Sequence, residues 1–205
     1  MADRDEIQRF TMAERLIHWA VAISFVYLVL SGLALFHPSF YWLAYVLGGG
    51  PVIRQWHPIV GVLMFVFLTA MYLKWRRDMK LDDLDRRWLR QVHKYIRHEE
   101  GVPEAGRFNA GQKLLFKTMT LMGVLLLLSG IPLWFPMRFS RNVREWSILV
   151  HEVAALVAIG GLIAHIYMGT AVVRGSMRAM LTGWVSRAWA RAHHPRWARE
   201  FERTS

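Results

Sequence analysis

Four long apolar segments limit what this chain can fold into. They are separated by basic connectors and occupy residues 16–36, 57–75, 114–135 and 148–173. About 20 apolar residues in a helix cross the roughly 30 Å of membrane hydrocarbon, where each backbone polar group needs a partner within the segment. A soluble fold would have to bury all four segments in one small chain. We therefore predict an all-α integral membrane protein with a four-helix bundle in residues 1–175.

Composition excludes several kinds of site. The 205-residue chain contains no Cys, which excludes cysteine-ligated iron–sulfur clusters, covalent C-x-x-C-H haem attachment and Cys-containing zinc sites. The formal net charge of +11 would indicate a nucleic-acid partner in a soluble chain. In a membrane chain the same charge favours membrane topology and attraction to anionic lipid. We therefore expect membrane lipid, and no nucleic acid, as a partner.

The distribution of Lys and Arg predicts the orientation. Of the 26 basic residues, 22 lie before residue 16, between residues 74 and 117, or from residue 174 onward. The other four lie in the 37–56 and 136–147 connectors. Because cytoplasmic loops carry the excess of Lys and Arg, we expect a multi-pass protein with both termini and the 74–113 connector in the cytoplasm.

The polar segments contain helix signals of their own. The apolar residues of 81–95 recur every three or four positions, which predicts a surface helix with acidic residues at its start and basic ones at its end. A basic amphipathic tail over 176–205 contains a second such pattern, in Met177, Met180, Leu181, Trp184 and Val185, and predicts a helix in the inner membrane interface. Residues 40–47 predict a short outer helix that ends at the glycines from residue 48 to Pro51. Thr11 and Glu14 fit a capping box.

Four of the nine histidines lie within or at the ends of the apolar segments: His18, His57, His151 and His165. Ionisable groups at membrane depth are costly and usually functional. His151 and His165 are 14 residues apart, which places them on one helix face about 21 Å apart along the axis. From segment order and orientation, His57 and His151 are expected near the outer surface, and His18 and His165 near the inner one. The histidines of the basic segments are expected to be solvated: His93, His98, His193 and His194.

Each histidine pair is a suitable ligand set for a six-coordinate haem. The porphyrin supplies four nitrogens and two neutral imidazoles fill the axial positions, which blocks oxygen binding and leaves one-electron transfer. Zinc needs more ligands than two histidines, and only Glu152 is close in the sequence. Glycines four residues from a histidine, at Gly61, Gly161 and Gly169, favour close approach of a flat macrocycle, although small residues also let membrane helices pack. We therefore predict a bundle that binds two b haems, with the four histidines as ligands of the haem iron.

Several motifs resemble the cytochrome b, or gamma, subunit of membrane-bound formate dehydrogenases. They are Arg9-Phe10 with Arg15-x-x-His18-Trp19, Trp56-His57-Pro58-x-x-Gly61, the string Gly106-Arg107-Phe108-Asn109-Ala110-Gly111-Gln112-Lys113, and the pair His151 and His165. The resemblance covers roughly residues 9–175. Cytochrome b subunits of nickel–iron hydrogenases and related respiratory enzymes share the wider fold, and the string before the third helix is the feature that favours formate dehydrogenase.

The resemblance implies an electron-transfer subunit of the bacterial inner membrane that does not oxidise formate by itself. It implies two b haems ligated by the pairs above, and a quinone site beside the inner haem with Asn109, Gln112 and Gly169 as candidates. Helix capping explains Asn109 and Gln112 equally well. The implied partners are an iron–sulfur subunit and a catalytic subunit containing molybdenum or tungsten. Two alternatives remain, namely a cytochrome b subunit of a hydrogenase or other respiratory oxidoreductase, and a haem-free membrane anchor or transporter.

Overall fold

The computed structural model describes residues 5–97, 101 and 103–204. In chain order the elements are β1 (Glu6–Gln8), α1 (Met12–Phe36), α2 (Trp42–Val46), α3 (Gly50–Trp75), α4 (Asp83–Arg90), α5 (Val92–Ile96), α6 (Ala110–Trp134), α7 (Arg141–Tyr167), α8 (Ser176–Thr182), β2 (Trp184–Ser186), α9 (Arg187–His193) and α10 (Pro195–Thr204). Three of the connections contain a short helical turn. These are 3₁₀ turns at Pro38–Phe40 and Pro136–Arg138 and a π-helical turn at Met168–Val172. Among these described residues, four helices are long and apolar enough to cross a membrane, namely α1, α3, α6 and α7. This confirms the predicted helical fold.

Two of these helices begin earlier than the apolar segments do. Helix α3 begins at Gly50, so His57 lies two turns inside the helix and does not open it as predicted. Helix α7 begins at Arg141, seven residues before residue 148. The predicted bounds followed the apolar run, whereas a helix continues into the polar interface as long as its backbone bonds are made. Gly50 and Pro51 therefore belong to α3 and not to the end of α2; proline is tolerated in the first turn because its missing N–H would have no partner there.

The described chain divides into two compact units. The first, here called the spanning unit, comprises Leu16–Leu73 and Met119–Gly161. The second, here called the terminal unit, comprises the described residues of Met1–Arg15, Lys74–Thr118 and Leu162–Ser205. This division differs from the predicted boundary at residue 175, because the tail packs with the N-terminal segment and the long connector.

In the spanning unit, a small buried core joins α1, α2 and α3. It consists of Ala34, Leu43, Ala44 and Ile53. Gly48, with a φ of 94°, and Gly49, with a φ of 100°, turn the chain between α2 and α3, a conformation that glycine adopts without a Cβ clash.

A two-stranded antiparallel sheet in the terminal unit joins the two ends of the sequence. Ile7 of β1 pairs with Val185 of β2, and both side chains are almost fully buried. Trp184 and Val185 were predicted to continue the tail helix, and this is wrong, because α8 ends at Thr182 and Gly183 adopts a φ of 91°. The carbonyl oxygen of Gly183 accepts the N–H groups of Arg9 (2.8 Å) and Phe10 (3.2 Å).

The long connector forms two short helices where one was predicted. Asp82 caps α4, with its Oδ1 accepting the N–H of Asp85 (2.9 Å) while Asp85 Oδ2 accepts the N–H of Asp82 (2.8 Å). Helix α4 ends at Arg90, Gln91 is its C-cap, and α5 follows. His98, predicted at the end of this segment, lies outside the described residues.

An aromatic cluster forms the core of the terminal unit, and it consists of Phe10, Trp75, Phe108 and Phe116, with neighbouring ring centroids 5.4–6.1 Å apart. Glu14 lies at its edge, where it accepts hydrogen bonds from the indole of Trp75 (2.7 Å) and from Arg107 (2.8 Å). The same carboxylate accepts the N–H of Thr11 (2.8 Å), and Thr11 Oγ1 accepts the N–H of Glu14 (3.3 Å). The predicted capping box of α1 is thus confirmed.

Candidate functional site

His57 of α3 and His151 of α7 come together within the spanning unit. Their ring centroids are 6.3 Å apart and their planes are inclined by 57°. Two imidazole nitrogens bound at about 2 Å on opposite sides of one metal ion are about 4 Å apart, so the centroids of the two rings lie about 6 Å apart. The observed spacing therefore fits one metal ion between two axial imidazoles. Nothing in the apolar segments themselves predicts this distance; the predicted pairing came only from matched depth.

Two buried serines contact these histidines from the other two long helices. Ser31 Oγ of α1 is 2.8 Å from His57 Nδ1, and Ser129 Oγ of α6 is 3.0 Å from His151 Nδ1. Each serine oxygen also lies close to a carbonyl oxygen one turn back, 2.8 Å for Tyr27 and 2.6 Å for Leu125. All four long helices thus contribute to one site.

The hydrogen bonds of the serines determine which imidazole nitrogen carries the proton. A hydroxyl has one hydrogen, and a backbone carbonyl can only accept. Each serine therefore donates to its carbonyl and accepts the Nδ1–H of its histidine. In a neutral imidazole the other nitrogen, Nε2, then has the lone pair that binds a metal.

A glycine follows each serine and lies against the same ring. A Cβ on Gly32 would lie 3.4 Å from His57 Cε1, and a Cβ on Gly130 would lie 3.5 Å from His151 Cε1. Sequence reasoning missed both serines. Their signal was the tripeptide Leu-Ser-Gly, which occurs at residues 30–32 and again at residues 128–130.

The surroundings of the pair suit a porphyrin better than a bare ion. Within residues 5–97, 101 and 103–204, no group of three or more His, Cys, Asp or Glu side chains is placed to hold a metal ion. A metal between His57 and His151 would thus have two protein ligands, whereas zinc takes three or four and haem iron needs two beyond the porphyrin. An open groove of about 400 Å³ lies beside Ser129, lined mainly by apolar side chains of α6 and α7 that include Trp146 and Val150.

The other two predicted ligands lie in different units. His18 belongs to the spanning unit, where its half-buried ring is 5.7 Å from Trp19. His165 lies in the last turn of α7, in the terminal unit, with an exposed side chain. Their pairing stays a prediction.

Asn109 and Gln112 form a capping box at the start of α6. The N–H of Gln112 donates to Asn109 Oδ1 (2.9 Å), and the N–H of Asn109 donates to Gln112 Oε1 (3.0 Å). The capping explanation is therefore confirmed for both residues. These bonds use the side-chain oxygens and not the amide nitrogens, so they do not decide whether the amides bind quinone. Gly169, the third candidate, lies in the π-helical turn, and a Cβ there would meet no atom within 4 Å.

The segment that precedes α6 is fixed by residues from both ends of the sequence. His194 Nδ1–H donates to the carbonyl of Gly106 (2.8 Å), and Arg9 donates to the carbonyl of Arg107 (3.1 Å). His194 is 2% exposed, so the prediction that it is solvated is wrong. Burial, and then the positive charge of Arg9, lower the pKa of His194 well below its usual value.

The chain is similar to one protein family and to several known proteins. The model of the family described as prokaryotic cytochrome b561 matches residues 9–183. The chain is 38% identical over 208 residues to the formate dehydrogenase cytochrome b556(fdo) subunit of Escherichia coli strain K12, covering 100% of this chain and 98% of that relative.

Two further relatives show the same similarity. The nitrate-inducible formate dehydrogenase cytochrome b556(Fdn) subunit of the same strain is 35% identical over 207 residues, with 99% of this chain and 95% of the relative covered. The formate dehydrogenase cytochrome b556 subunit of Haemophilus influenzae is 38% identical over 199 residues, with 95% and 83% covered. The resemblance predicted from the sequence motifs is confirmed.

Proposed function

Because the chain belongs to the prokaryotic cytochrome b561 family, we propose that it is the membrane cytochrome b subunit of a formate dehydrogenase. In this role it transfers electrons from the enzyme's other subunits to a quinone. The observation that carries the proposal is the His57–His151 pair, which joins two membrane-length helices at a spacing suited to haem iron. The full-length similarity to formate dehydrogenase cytochrome b556 subunits supports the choice of complex.

The proposed cofactors are two b haems. His57 and His151 hold one through their Nε2 atoms, and His18 and His165 hold the second. A haem with both axial positions filled supplies one-electron transfer and does not bind oxygen. In the first pair, the Nδ1–H bond of each imidazole fixes its tautomer and the orientation of its ring.

The proposed quinone site is at the start of α6. Asn109 and Gln112 keep their side-chain oxygens for the helix cap, and their amide groups are donors suited to a quinone carbonyl. Gly169 adds space for a flat ring. The excess of basic residues in the flanking segments favours a cytoplasmic location for this end of α6, so in this proposal the quinone takes up its protons from the cytoplasm.

The proposed partners are an iron–sulfur subunit and a molybdenum- or tungsten-containing catalytic subunit on the outer side of the bacterial inner membrane. The chain has no Cys, so a thiolate-ligated cluster cannot lie within it. Electrons then move inward while protons are taken up from the cytoplasm, and turnover generates a membrane potential.

The test is haem content and reduction in the purified complex. We expect about two non-covalent b haems per chain by the pyridine haemochrome assay, extractable with acid–acetone because no Cys anchors them, and reducible by formate. His57→Ala and His151→Ala should remove one redox component, and His18→Ala and His165→Ala the other. The control variant is His93→Ala, at an exposed histidine of α5, and it should keep both redox components.

Three results would contradict parts of the proposal. One haem per chain at full occupancy would eliminate the second pair. Loss of the same component in His18→Ala and His57→Ala would make the pairing wrong. Reduction by hydrogen and not by formate, with a co-purified hydrogenase, would replace the proposed complex by a related one.

A further inference from the structure

The two serines of the His57–His151 site occupy equivalent positions. Ser31 precedes Gly32 in α1 and contacts the ligand of α3; Ser129 precedes Gly130 in α6 and contacts the ligand of α7. Ser31 is fully buried and Ser129 is 6% exposed. The same three-residue arrangement thus supports each imidazole from a neighbouring helix.

These serines differ from other hydroxyl residues of the long helices. Thr69 of α3 also donates to the carbonyl one turn back, that of Phe65, at 2.8 Å. Such a bond is common for hydroxyl residues in helices and by itself has no bearing on a ligand. At Ser31 and Ser129 the same bond orients the hydroxyl so that its lone pair faces Nδ1 of a histidine.

We propose that Ser31 and Ser129 are positioning residues that fix the tautomer and orientation of His57 and His151 and thereby set the affinity and midpoint potential of the haem they hold. The proposal rests on the proposed function in one respect, since it requires that a haem binds there. It goes further in assigning control of one haem to two residues that do not touch iron.

The physical basis is the effect of the outer hydrogen bond on the metal ligand. An Nδ1–H that donates to an oxygen makes the imidazole more basic and holds its ring plane. A more basic ligand stabilises ferric iron more than ferrous iron, which lowers the midpoint potential. Without the serine oxygen, the buried Nδ1–H loses the acceptor that Ser31 or Ser129 supplies, which is itself unfavourable. At His151 a backbone hydrogen bond with Leu126 remains.

The experiment compares Ser31→Ala, Ser129→Ala and the control Thr69→Ala in the purified complex. The control removes a hydroxyl with the same backbone bond from the helix that carries His57. Haem content, redox titration and the low-spin ferric EPR signal are measured for each. These readouts do not depend on turnover with formate or quinone.

We expect both serine variants to alter the same redox component that His57→Ala removes. Its midpoint potential should rise, by about 59 mV for each tenfold fall in the ratio of ferric to ferrous affinity. Haem affinity at that site should fall roughly tenfold or more, as is usual when the outer partner of a ligating histidine is lost. Thr69→Ala should leave both components at wild-type potentials.

Ser129→Thr separates the hydroxyl from side-chain volume. Threonine can make the same backbone bond within a helix, so we expect the potential to stay close to wild type. Equal shifts in Ser129→Thr and Ser129→Ala would overturn the proposal, because volume and not the hydroxyl would then set the potential. Serine variants with unchanged potentials and EPR signals would also overturn it. Absence of haem from the wild-type complex would instead contradict the proposed function.

Discussion

At the scale of single residues, the same side chain takes different chemical roles in different surroundings. His57 and His151 have Nδ1 directed at a serine, which makes Nε2 the nitrogen that we propose as the ligand of iron. His194 has Nδ1 directed at a backbone carbonyl and lies against Arg9 and two tryptophans, Trp189 and Trp197. It is therefore a neutral structural group.

We predict that acid weakens the terminal unit through His194. Its folded-state pKa is lowered, while in the unfolded chain it takes up a proton below about pH 6.5. Stability from the neutral form is therefore present above that pH and falls at lower pH, by up to about 1.4 kcal/mol per pH unit. His194→Asn keeps a donor for the Gly106 carbonyl but cannot titrate.

The measurement is protease cleavage of the tail between pH 7.5 and 5. Wild type should become more susceptible as the pH falls, and His194→Asn should show a flatter profile. Identical slopes in the two proteins would show that other groups control the acid response. The control is His193→Asn, at the residue just before His194, and its cleavage profile should follow that of wild type.

The difference between predicted and missed residues follows from the range of the interactions. An ionisable histidine inside an apolar segment is a local signal, and it identified His57 and His151. Ser31 and Ser129 carried no such signal, because a hydroxyl in a membrane helix usually bonds to its own backbone. The burial of His194 depends on Arg9 and Gly106, which are far away in the sequence.

At the scale of helices, apolar length predicted the four long elements but not their ends. The start of α3 at Gly50 depends on glycine and proline geometry rather than on hydrophobicity. The capping box of α1 was predictable because Thr11 and Glu14 show the usual sequence pattern of such a box. Capping by Asn109 and Gln112 was predicted as the alternative to quinone binding. The two roles are compatible, because the cap uses the side-chain oxygens and a quinone would bind the amide nitrogens.

We predict that Asn109→Asp separates capping from quinone binding. Aspartate keeps the oxygen that caps α6 and suits the helix N-terminus, but it has no amide donor. Quinone reduction should slow several-fold while both haems stay bound and reducible by formate. Asn109→Ala should slow it as well and also lose about 1 kcal/mol of helix stability.

The same comparison is made at the other capping residue with Gln112→Glu and Gln112→Ala. The control is Thr11→Ala, which removes a capping side chain from α1 and no quinone-site amide. The measurement is formate-driven haem reduction beside quinol formation in one preparation. Normal quinol formation in Asn109→Asp and Gln112→Glu would remove these amides from the quinone site. Loss of haem in either would make the role of the segment structural.

At the scale of the whole molecule, the membrane-length helices were predictable and the organisation of the terminal unit was not. The β1–β2 sheet consists of three residues in each strand, too short for an alternating pattern to be read. Its partners are 178 positions apart at Ile7 and Val185. The tail was predicted as a basic amphipathic segment with a helix in the inner membrane interface. In the structure it also bonds to the long connector, since Arg196 bonds to Asp82 at 2.9 Å and Arg199 bonds to Glu104.

We predict that Ile7→Ala opens the terminal unit selectively. Ile7 is fully buried, and truncation of such a side chain costs about 2–5 kcal/mol. Protease release of the tail should accelerate. The haem that we propose between His57 and His151 should keep its midpoint potential, because both histidines belong to the spanning unit. The control is Leu181→Ala, at a side chain that is 54% exposed. It should change neither the rate of tail release nor the haem potential.

A shift in that haem's potential in Ile7→Ala would contradict the independence of the two units. Unchanged proteolysis would show that the sheet does not hold the tail in place.

The β1–β2 pairing also imposes an order on biogenesis. Ribosomes add about 5–20 residues per second, so β1 waits roughly ten to thirty-five seconds for the residues it pairs with at β2. During that interval Ile7 and Phe10 have no finished core to enter, while the residues of α1, α3, α6 and α7 are synthesised. The spanning unit can therefore assemble during synthesis, and the terminal unit closes only after β2 has been made. A nascent chain stalled before residue 184 would carry the complete His57–His151 pair and an unclosed N-terminal strand.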